Sequence, residues 1–359
     1  MSIFLNAYRG RTVLVTGHTG FKGSWLSIWL NNLGAKVIGY SLAPDSEKGN
    51  FYLSGIMDKI VDIRGDIRDY RKLNEVFKKY RPDIVFHLAA QPLVRYSYER
   101  PRYTYEVNVI GTMNVLECIR QSKDTKYGII VTSDKCYENK EWIWGYREID
   151  AMGGYDIYSS SKGCTEILVS SYVRSYFSTK KNKENFKIIA TVRAGNVIGG
   201  GDWAKDRIVP DCINSLENNE DILIRNPISI RPWQHVLEPL SGYLMLGEKM
   251  LENESGFGEA WNFGPKQDSI VNVEEVVKII ISYWGSGSYR CDNPKSEAVH
   301  EAKILKLDIN KARNYLKWEP KWSVDTAVKK TIQWYKNYKT EDVYGICTKQ
   351  IKEYCIEKG

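Results

Sequence analysis

Tyr158 and Lys162 stand four residues apart, a spacing that puts a phenol and an ammonium on one face of a helix. An ammonium beside a phenol favours the phenolate and lowers its pKa from the ordinary value of about 10. Upstream, an apolar run ends at Thr132 and opens into Ser133-Asp134-Lys135-Cys136-Tyr137, which offers a hydroxyl, a carboxyl and a second amine in succession. Ser133 at the end of a strand could complete a proton-handling set with the phenol. The Tyr-x-x-x-Lys spacing alone is weak evidence in a chain with 24 Tyr and 51 Lys+Arg, and Tyr172 and Tyr176 loosely repeat its phase. Partners elsewhere must strengthen it.

The first partner is a glycine turn. Gly17, Gly20 and Gly23 recur every third residue between an apolar strand, Thr12 to Thr16, and an amphipathic helix expected from Ser24 to Leu33. This is G-x-x-G-x-x-G, not the commoner G-x-G-x-x-G. The physics is shared: a tight turn, close backbone approach to a pyrophosphate, and a helix N-terminus that offers N–H groups to an anion. Thr19, Phe21 and Lys22 lie within that turn. A second strand, Lys36 to Tyr40, ends at Ser41 and Leu42, where an NAD site often carries Asp or Glu on the ribose; Asp45 comes late and no Arg stands there. NAD is expected over NADP. The remaining cofactor-facing positions are expected at Asp66 and Ile67, at the small-residue stretch Leu88-Ala89-Ala90-Gln91, at Asn108 and at Thr132.

Several elements must position these groups. Further strands are expected at 60–63, 84–88, 128–132 and 188–193, with helices over 73–80, 107–121 and 158–177. Strands alternating with helices imply an α/β fold with a doubly wound parallel sheet and sites at the strands' C-terminal ends. Beyond Asn196 to Trp203 the alternation breaks down into shorter segments rich in Trp and Pro. Residues 1–195 are therefore expected to form the dinucleotide-binding domain and to carry the catalytic residues. Residues 196–359 are expected to form a smaller mixed α/β substrate domain, with some segments returning to the first domain and a C-terminal tail or helix. Amphipathic helices are expected at 273–283 and 324–335. Gln91, Asn196, Arg207 and Arg231 are candidates to hold substrate. Arg225 joins Arg207 and Arg231 as a possible diphosphate clamp, since guanidinium matches phosphate oxygens in bidentate fashion; Arg231 is the strongest of the three.

Composition excludes other classes. With 43% hydrophobic and 26% charged residues the chain reads as globular, and no apolar run suits a membrane span. No leader segment is readable, so a cytoplasmic protein is expected. The net charge of +7 suits an anionic small molecule; nucleic acid would need a basic stripe, and the densest run, Lys180 to Lys183, reads as a solvated loop. Seven cysteines without a C-x-x-C pair imply reduced thiols, and the four histidines (His18, His87, His235, His300) show no metal-ligand spacing, so no metal is expected.

Taken in order, Gly17/Gly20/Gly23, Leu88-Ala89-Ala90, Asn108, Ser133, Tyr158 and Lys162 resemble the extended short-chain dehydrogenase/reductases over essentially the whole length. Thr16 to Leu26, Ser133 to Tyr137 and Gly163-Cys164 are more closely similar to the branch of the sugar-nucleotide 4,6-dehydratases that uses CDP-glucose. The resemblance implies a Rossmann domain, tightly held and recycled NAD, a nucleotide-sugar substrate, a place in deoxysugar synthesis for surface polysaccharide, and a homodimer joined through helices near 107–121 and 157–177, with a tetramer as the alternative. It makes Tyr158 the base at the sugar 4-hydroxyl with Lys162 tuning it, Ser133 the residue that positions that hydroxyl, and Asp134 the general acid at C6. Most such dehydratases carry Glu where this chain has Lys135, so a lysine must take the C5 proton. As a free base near neutral pH, Lys135 would have to lose about three pKa units, roughly 4 kcal/mol; the bland alternative is that it only hydrogen-bonds substrate. A nucleotide-sugar 4-epimerase needs no such acid/base pair, and a non-catalytic NAD-sensing regulator needs no Ser/Tyr/Lys set; both are weaker readings.

Overall fold

The structure, a computed structural model, describes residues 4, 6–177, 186–252, 256–266, 269–291 and 304–357. The Lys180 to Lys183 run and His300 lie outside the described residues. Its centre is a sheet of seven strands: β1 (Thr12–Thr16), β2 (Lys36–Ser41), β3 (Val61–Arg64), β4 (Ile84–His87), β5 (Tyr127–Val131), β6 (Ile188–Ala194) and β7 (Ala260–Phe263). Their spatial order is β7-β6-β5-β4-β1-β2-β3, and every pairing is parallel. The chain moves outward from β1 in one direction and then returns to lay β4 on its other side. That reversal opens a crevice at the C-terminal ends of β1 and β4, where doubly wound sheets hold ligands.

The strands read as continuous apolar runs because both sheet faces are covered. In β1, Val13 and Val15 pack into the core on one face, with Trp25, Trp29 and Phe86, while Leu14 packs on the other with Ile38, Val85 and Leu116. The helices that bear on the site and its packing are α1 (Phe21–Asn32), α2 (Tyr70–Tyr80), α3 (Gly111–Gln121), α4 (Ile157–Tyr172), α5 (Leu237–Leu251) and α6 (Val343–Ile356).

Three departures from expectation bear on the site. Helix α1 starts at Phe21, three residues before the expected Ser24, because Gly20 is already its N-cap. Helix α3 is the end of a longer helical run that begins at Pro101 and passes through a π turn at Glu106–Ile110. Strand β7 and helix α5 went unread. In β7 the pattern Trp261-Asn262 mixes polar and apolar, and α5 is buried around most of its circumference, so it carries no clear amphipathic stripe. Both belong to the sheet core although they follow residue 196. The expected helices appear at Val273–Trp284 and Val324–Asn337, and the C-terminal segment is α6, packed on α1 through Asn31 to Tyr344 (2.8 Å) and Trp29 against Tyr354 (5.9 Å).

Candidate active site

Sequence dictates the glycine turn at three separate points. Gly17 has φ +75°, and a Cβ there would lie 2.6 Å from the Ala89 nitrogen, so this position carries both the left-handed turn and the contact between the β1 and β4 ends. A Cβ on Gly23 would stand 2.0 Å from the Gly17 carbonyl oxygen, which makes Gly23 the packing glycine of α1. A Cβ on Gly20 would meet only the Gly17 oxygen, at 3.4 Å, so open space lies before the helix N-terminus. The first N–H groups of α1 have no intrahelical acceptor, and no acidic side chain sits in the first turn. An unobstructed backbone, free N–H groups and the positive end of a helix fit a pyrophosphate. Lys22 adds a cation, held down to about 8 by burial and by the nearby Arg207 and Lys162, against the pull of Asp134 and Asp202.

Around this cradle the other cofactor-facing candidates gather at the same sheet edge. Thr19 Oγ1 donates to Ser41 Oγ (2.9 Å) and lies 3.1 Å from the Leu42 carbonyl oxygen. The Asp66 carbonyl accepts from Tyr40 OH (2.9 Å), while its carboxylate is taken by Arg68 (2.7 Å); Ile67 packs on Gly111. Leu88 and Ala89 follow β4, with the Leu88 N–H on the Thr16 carbonyl (3.1 Å). The sequence search found no arginine at the end of β2, but the fold supplies one from β3: Arg64 donates to the Leu42 carbonyl (3.2 Å) and to Asp62 (2.8 Å). Asp62 also holds buried His18 (2.8 Å), so a carboxylate balances that guanidinium.

Gln91 and Asn108, expected to face cofactor or substrate, are hydrogen-bonded within the fold. Gln91 is 5% exposed; its amide donates to Thr104 Oγ1 (2.9 Å) and accepts from the Leu93 N–H (2.6 Å), so the side chain is committed to its own loop. Asn108, in the π turn, accepts from the Gln91 N–H (2.8 Å) and donates to Ser161 Oγ (2.8 Å). It clamps the loop after β4 to the helix that carries Tyr158 and Lys162. The π turn leaves the Asn108 carbonyl to accept from Thr112 (2.6 Å) and Thr165 (3.0 Å).

The chemical residues converge. Strand β5 ends one residue before Thr132, and Ser133 caps a single 3₁₀ turn, Asp134–Cys136, by accepting from the Lys135 N–H. Ser133 Oγ also donates to Asp134 Oδ1 (2.9 Å) and hydrogen-bonds the Tyr158 phenol. Tyr158, Ser133, Asp134 and Lys162 are all under 10% exposed, whereas Lys135 is half-buried beside them. Helix α4 is capped by Asp156, which accepts from the Ser159 N–H (2.9 Å), and its Tyr158 and Lys162 point to this side, with the Lys162 ammonium on the Val131 carbonyl (3.3 Å). Burial raises the Asp134 carboxyl, against the pull of Lys135, Lys22 and Arg231, so this acid holds its proton more firmly than a surface aspartate.

One expectation is corrected. The Tyr158 phenol is pushed up to about 12, not down, because burial outweighs the hydrogen bond with Ser133 and the charge of Arg207. Lys162, the group expected to lower it, is itself pushed down to about 8 by burial. The phenol is therefore a proton reservoir coupled to Ser133, and an incoming hydroxyl would meet it protonated.

Of the three candidate arginines, Arg207 faces the site: it pairs with Asp202 (2.7 Å), and its charge reaches Tyr158 and Lys22. Arg231 lies close enough to Asp134 to favour its carboxylate. Arg225 is instead paired with Asp206 (2.7 Å) and Asp211 (3.4 Å) and half-exposed. Asn196 begins the segment that pairs with Gln234, through its own carbonyl (3.1 Å). Lys22, Lys135, Arg207 and Arg231 outnumber Asp134 and Asp202, so the crevice is electropositive and suits an anionic ligand. Asp202 leaves no local signal in the sequence. Glu166 was legible in principle: it lies one turn beyond Lys162, the same spacing that singled out Tyr158.

Comparison with known proteins agrees with this geometry. The family model of GDP-mannose 4,6 dehydratase matches residues 14–331. A CDP-glucose 4,6-dehydratase from Salmonella typhimurium is 47% identical over 351 residues, covering 97% of each chain. Among solved structures, an epimerase from Methanothermobacter thermautotrophicus superposes with a TM-score of 0.77 at 26% identity, covering 94% of this chain and 95% of that one. A dTDP-glucose 4,6-dehydratase from Bacillus anthracis in complex with NAD gives 0.74 at 21%, covering 94% and 100%.

Proposed function

This chain belongs to the GDP-mannose 4,6 dehydratase family, and from that premise we infer that it is a hydro-lyase that converts CDP-D-glucose to CDP-4-dehydro-6-deoxy-D-glucose with NAD as its recycled cofactor. The observation that carries this reading beyond the family is the junction of Ser133, Asp134 and Tyr158 in one buried hydrogen-bonded set, with Lys135 beside it. The 47% identical relative bears the same activity in its name.

The glycine turn, the α1 N-terminus, Ser41 and the Leu88-Ala89-Ala90 stretch would hold NAD, which when bound accepts hydride from the sugar C4 and returns it to C6. The rest of the work falls to the chain's own side chains. Ser133 orients the 4-hydroxyl toward Tyr158; the phenol proton passes to Ser133 Oγ as Ser133 hands its own hydroxyl proton to Asp134 Oδ1, and the phenolic oxygen then receives the O4 proton. Lys162 supplies positive charge beneath that oxygen. With a ketone at C4 the C5 hydrogen becomes acidic. Lys135, half-buried beside the site, takes it and gives a proton back to C5 when hydride returns to C6. Asp134, protonated through Ser133 and favoured in that form by burial, delivers this proton to the departing 6-hydroxyl, and water leaves across C5–C6. Acid and base are adjacent in sequence because they act on adjacent carbons of one ring. Arg207 and Arg231 are positioned to meet the diphosphate, and residues 196–359 supply most of the nucleotide-sugar side.

A cytoplasmic homodimer completes the reading. Among the described residues no helix is long and apolar enough to cross a membrane. Ile110 and Ile167, on the helical segments expected to join two copies, are 44% and 59% exposed.

The deciding measurement is incubation of the purified protein with CDP-, dTDP-, UDP- and GDP-hexoses. The expected result is loss of one water from CDP-glucose and the alkaline absorbance of a 4-keto-6-deoxy sugar. Unchanged mass with conversion at C4 would make it an epimerase. In a parallel run in deuterated water, Lys135→Met should suppress deuterium entry at C5; undiminished exchange would remove Lys135 from the base role.

A further inference from the structure

One buried charge near the catalytic lysine has no part in the steps above. Glu166 is 5% exposed and lies on α4 at the second turn after Tyr158 and the first after Lys162. Four donors saturate its carboxylate. Arg193, from β6, approaches as a fork, Nε to Oε1 and Nη2 to Oε2, both at 2.8 Å. Thr191 Oγ1, also from β6, donates at 2.7 Å, and Thr132 Oγ1 donates from the residue just before Ser133. Arg193 continues to Tyr137 OH (2.6 Å) and the Glu148 carbonyl (3.1 Å), in the strap that follows Lys135. One carboxylate thus ties together the ends of β5 and β6, the Tyr/Lys helix and the strap behind the acid/base pair.

We propose that Glu166 is the positioning residue that keeps Lys162 cationic and, through Thr132, holds the strand end whose Val131 carbonyl receives the Lys162 ammonium, with Arg193 holding the Glu166 carboxylate immobile. The inference rests on the dehydratase reading of this site. A buried ammonium needs an anion nearby or it sheds its proton. The groups facing Lys162 from the packed elements are Cys136 of the strap, His87 at the end of β4 and Lys22 of α1, besides Glu166 on its own helix. Burial holds His87 neutral and pushes the Cys136 thiol well up, and Lys22 repels. Glu166 is left as the standing negative charge. Burial resists its ionisation, but Arg193 and the two threonine hydroxyls hold the carboxyl below its ordinary value.

The test is the titration of Lys162 in the NAD-loaded enzyme, read by NMR of the lysine ammonium and assigned against Lys162→Met. In Glu166→Gln it should fall by one pH unit or more, and the alkaline limb of kcat should move down with it, while KM for CDP-glucose changes less than twofold. Glu166→Asp should restore most of both. Breaking one side of a buried ion pair can unfold a protein, so the paired variant Glu166→Gln, Arg193→Met, which leaves no lone buried charge, provides the second measurement and should show a smaller fall in the same direction. An unmoved Lys162 titration in either folded variant, with only a lowered melting temperature, would make the pair structural and overturn the proposal. Because the NMR titration needs no turnover, an enzyme inactive on every nucleotide sugar would sink the dehydratase reading and leave this result interpretable.

Discussion

At the scale of single residues, the site works through burial as much as through charge. Burial raises both the Asp134 carboxyl and the Tyr158 phenol, the two groups to which the proposed mechanism gives the acid and the O4 proton. Tyr158→Phe should lower kcat by roughly 10²–10⁴-fold, the usual worth of a positioned proton carrier, with NAD still bound in the purified protein; retained turnover would show that the O4 proton leaves by another route. Burial also sets a stability cost at Lys162. Its folded pKa of about 8 lies below the ordinary value of 10.5, so the fold disfavours the ammonium. That cost is full below pH 8 and fades as pH rises from about 8 to 10.5; it amounts to about 3 kcal/mol. Lys162→Met should therefore raise the melting temperature most below pH 8, with the gap closing toward pH 10.5. A gap that is constant with pH would mean that the lysine is not desolvated. Reading the residues alone named groups that the fold brings together but gave the wrong sign for the phenol, because spacing reports which groups share a face and says nothing of how deep that face lies.

At the scale of elements, the turn between β1 and α1 separates packing from binding. Gly23 meets the Gly17 carbonyl and Gly20 meets almost nothing. Gly23→Ala should cost about 1–3 kcal/mol, as overpacking does, and should lose NAD as well. Gly20→Ala should keep its melting temperature within about 1 °C, under the shift expected of 0.5 kcal/mol, and still lose NAD affinity at least tenfold. Parallel thermal melts and NAD titrations would check both, and equal destabilisation by the two substitutions would refute the division. The strand–turn–helix order was legible because a parallel strand, a glycine turn and a helix each leave a local pattern. The start of α1 at Phe21 was not, since it depends on where the Gly17 carbonyl sits.

At the scale of the whole molecule, the C-terminal third closes the structure over the sheet through another buried carboxyl. Glu238, in the first turn of α5, accepts from the backbone N–H groups of Lys321 (2.9 Å) and Trp322 (2.7 Å) and from Tyr354 OH of α6 (2.7 Å). Burial overrides those donors and raises it to about 7 from an ordinary 4.5. An acid with a raised folded pKa loses stability as pH climbs from 4.5 through 7 and stays penalised above, by about 3 kcal/mol in all. The melting temperature should fall over that window, and Glu238→Gln should flatten the slope; an unchanged slope would place the titration elsewhere.

The sequence by itself determined the parallel sheet, the glycine turn and the Tyr158/Lys162 helix face, because each rests on residues within one strand, one turn or one helix face. Tertiary structure alone decided that Arg64 reaches the end of β2, that Gln91 and Asn108 serve as a clamp, that Ala260 to Phe263 completes the sheet, and that Glu166 and Arg193 meet behind Lys162. Those contacts join segments from separate βα units or distant parts of the chain. Local pattern carries no record of them, and burial, which only the packed core supplies, sets the protonation of every group they touch.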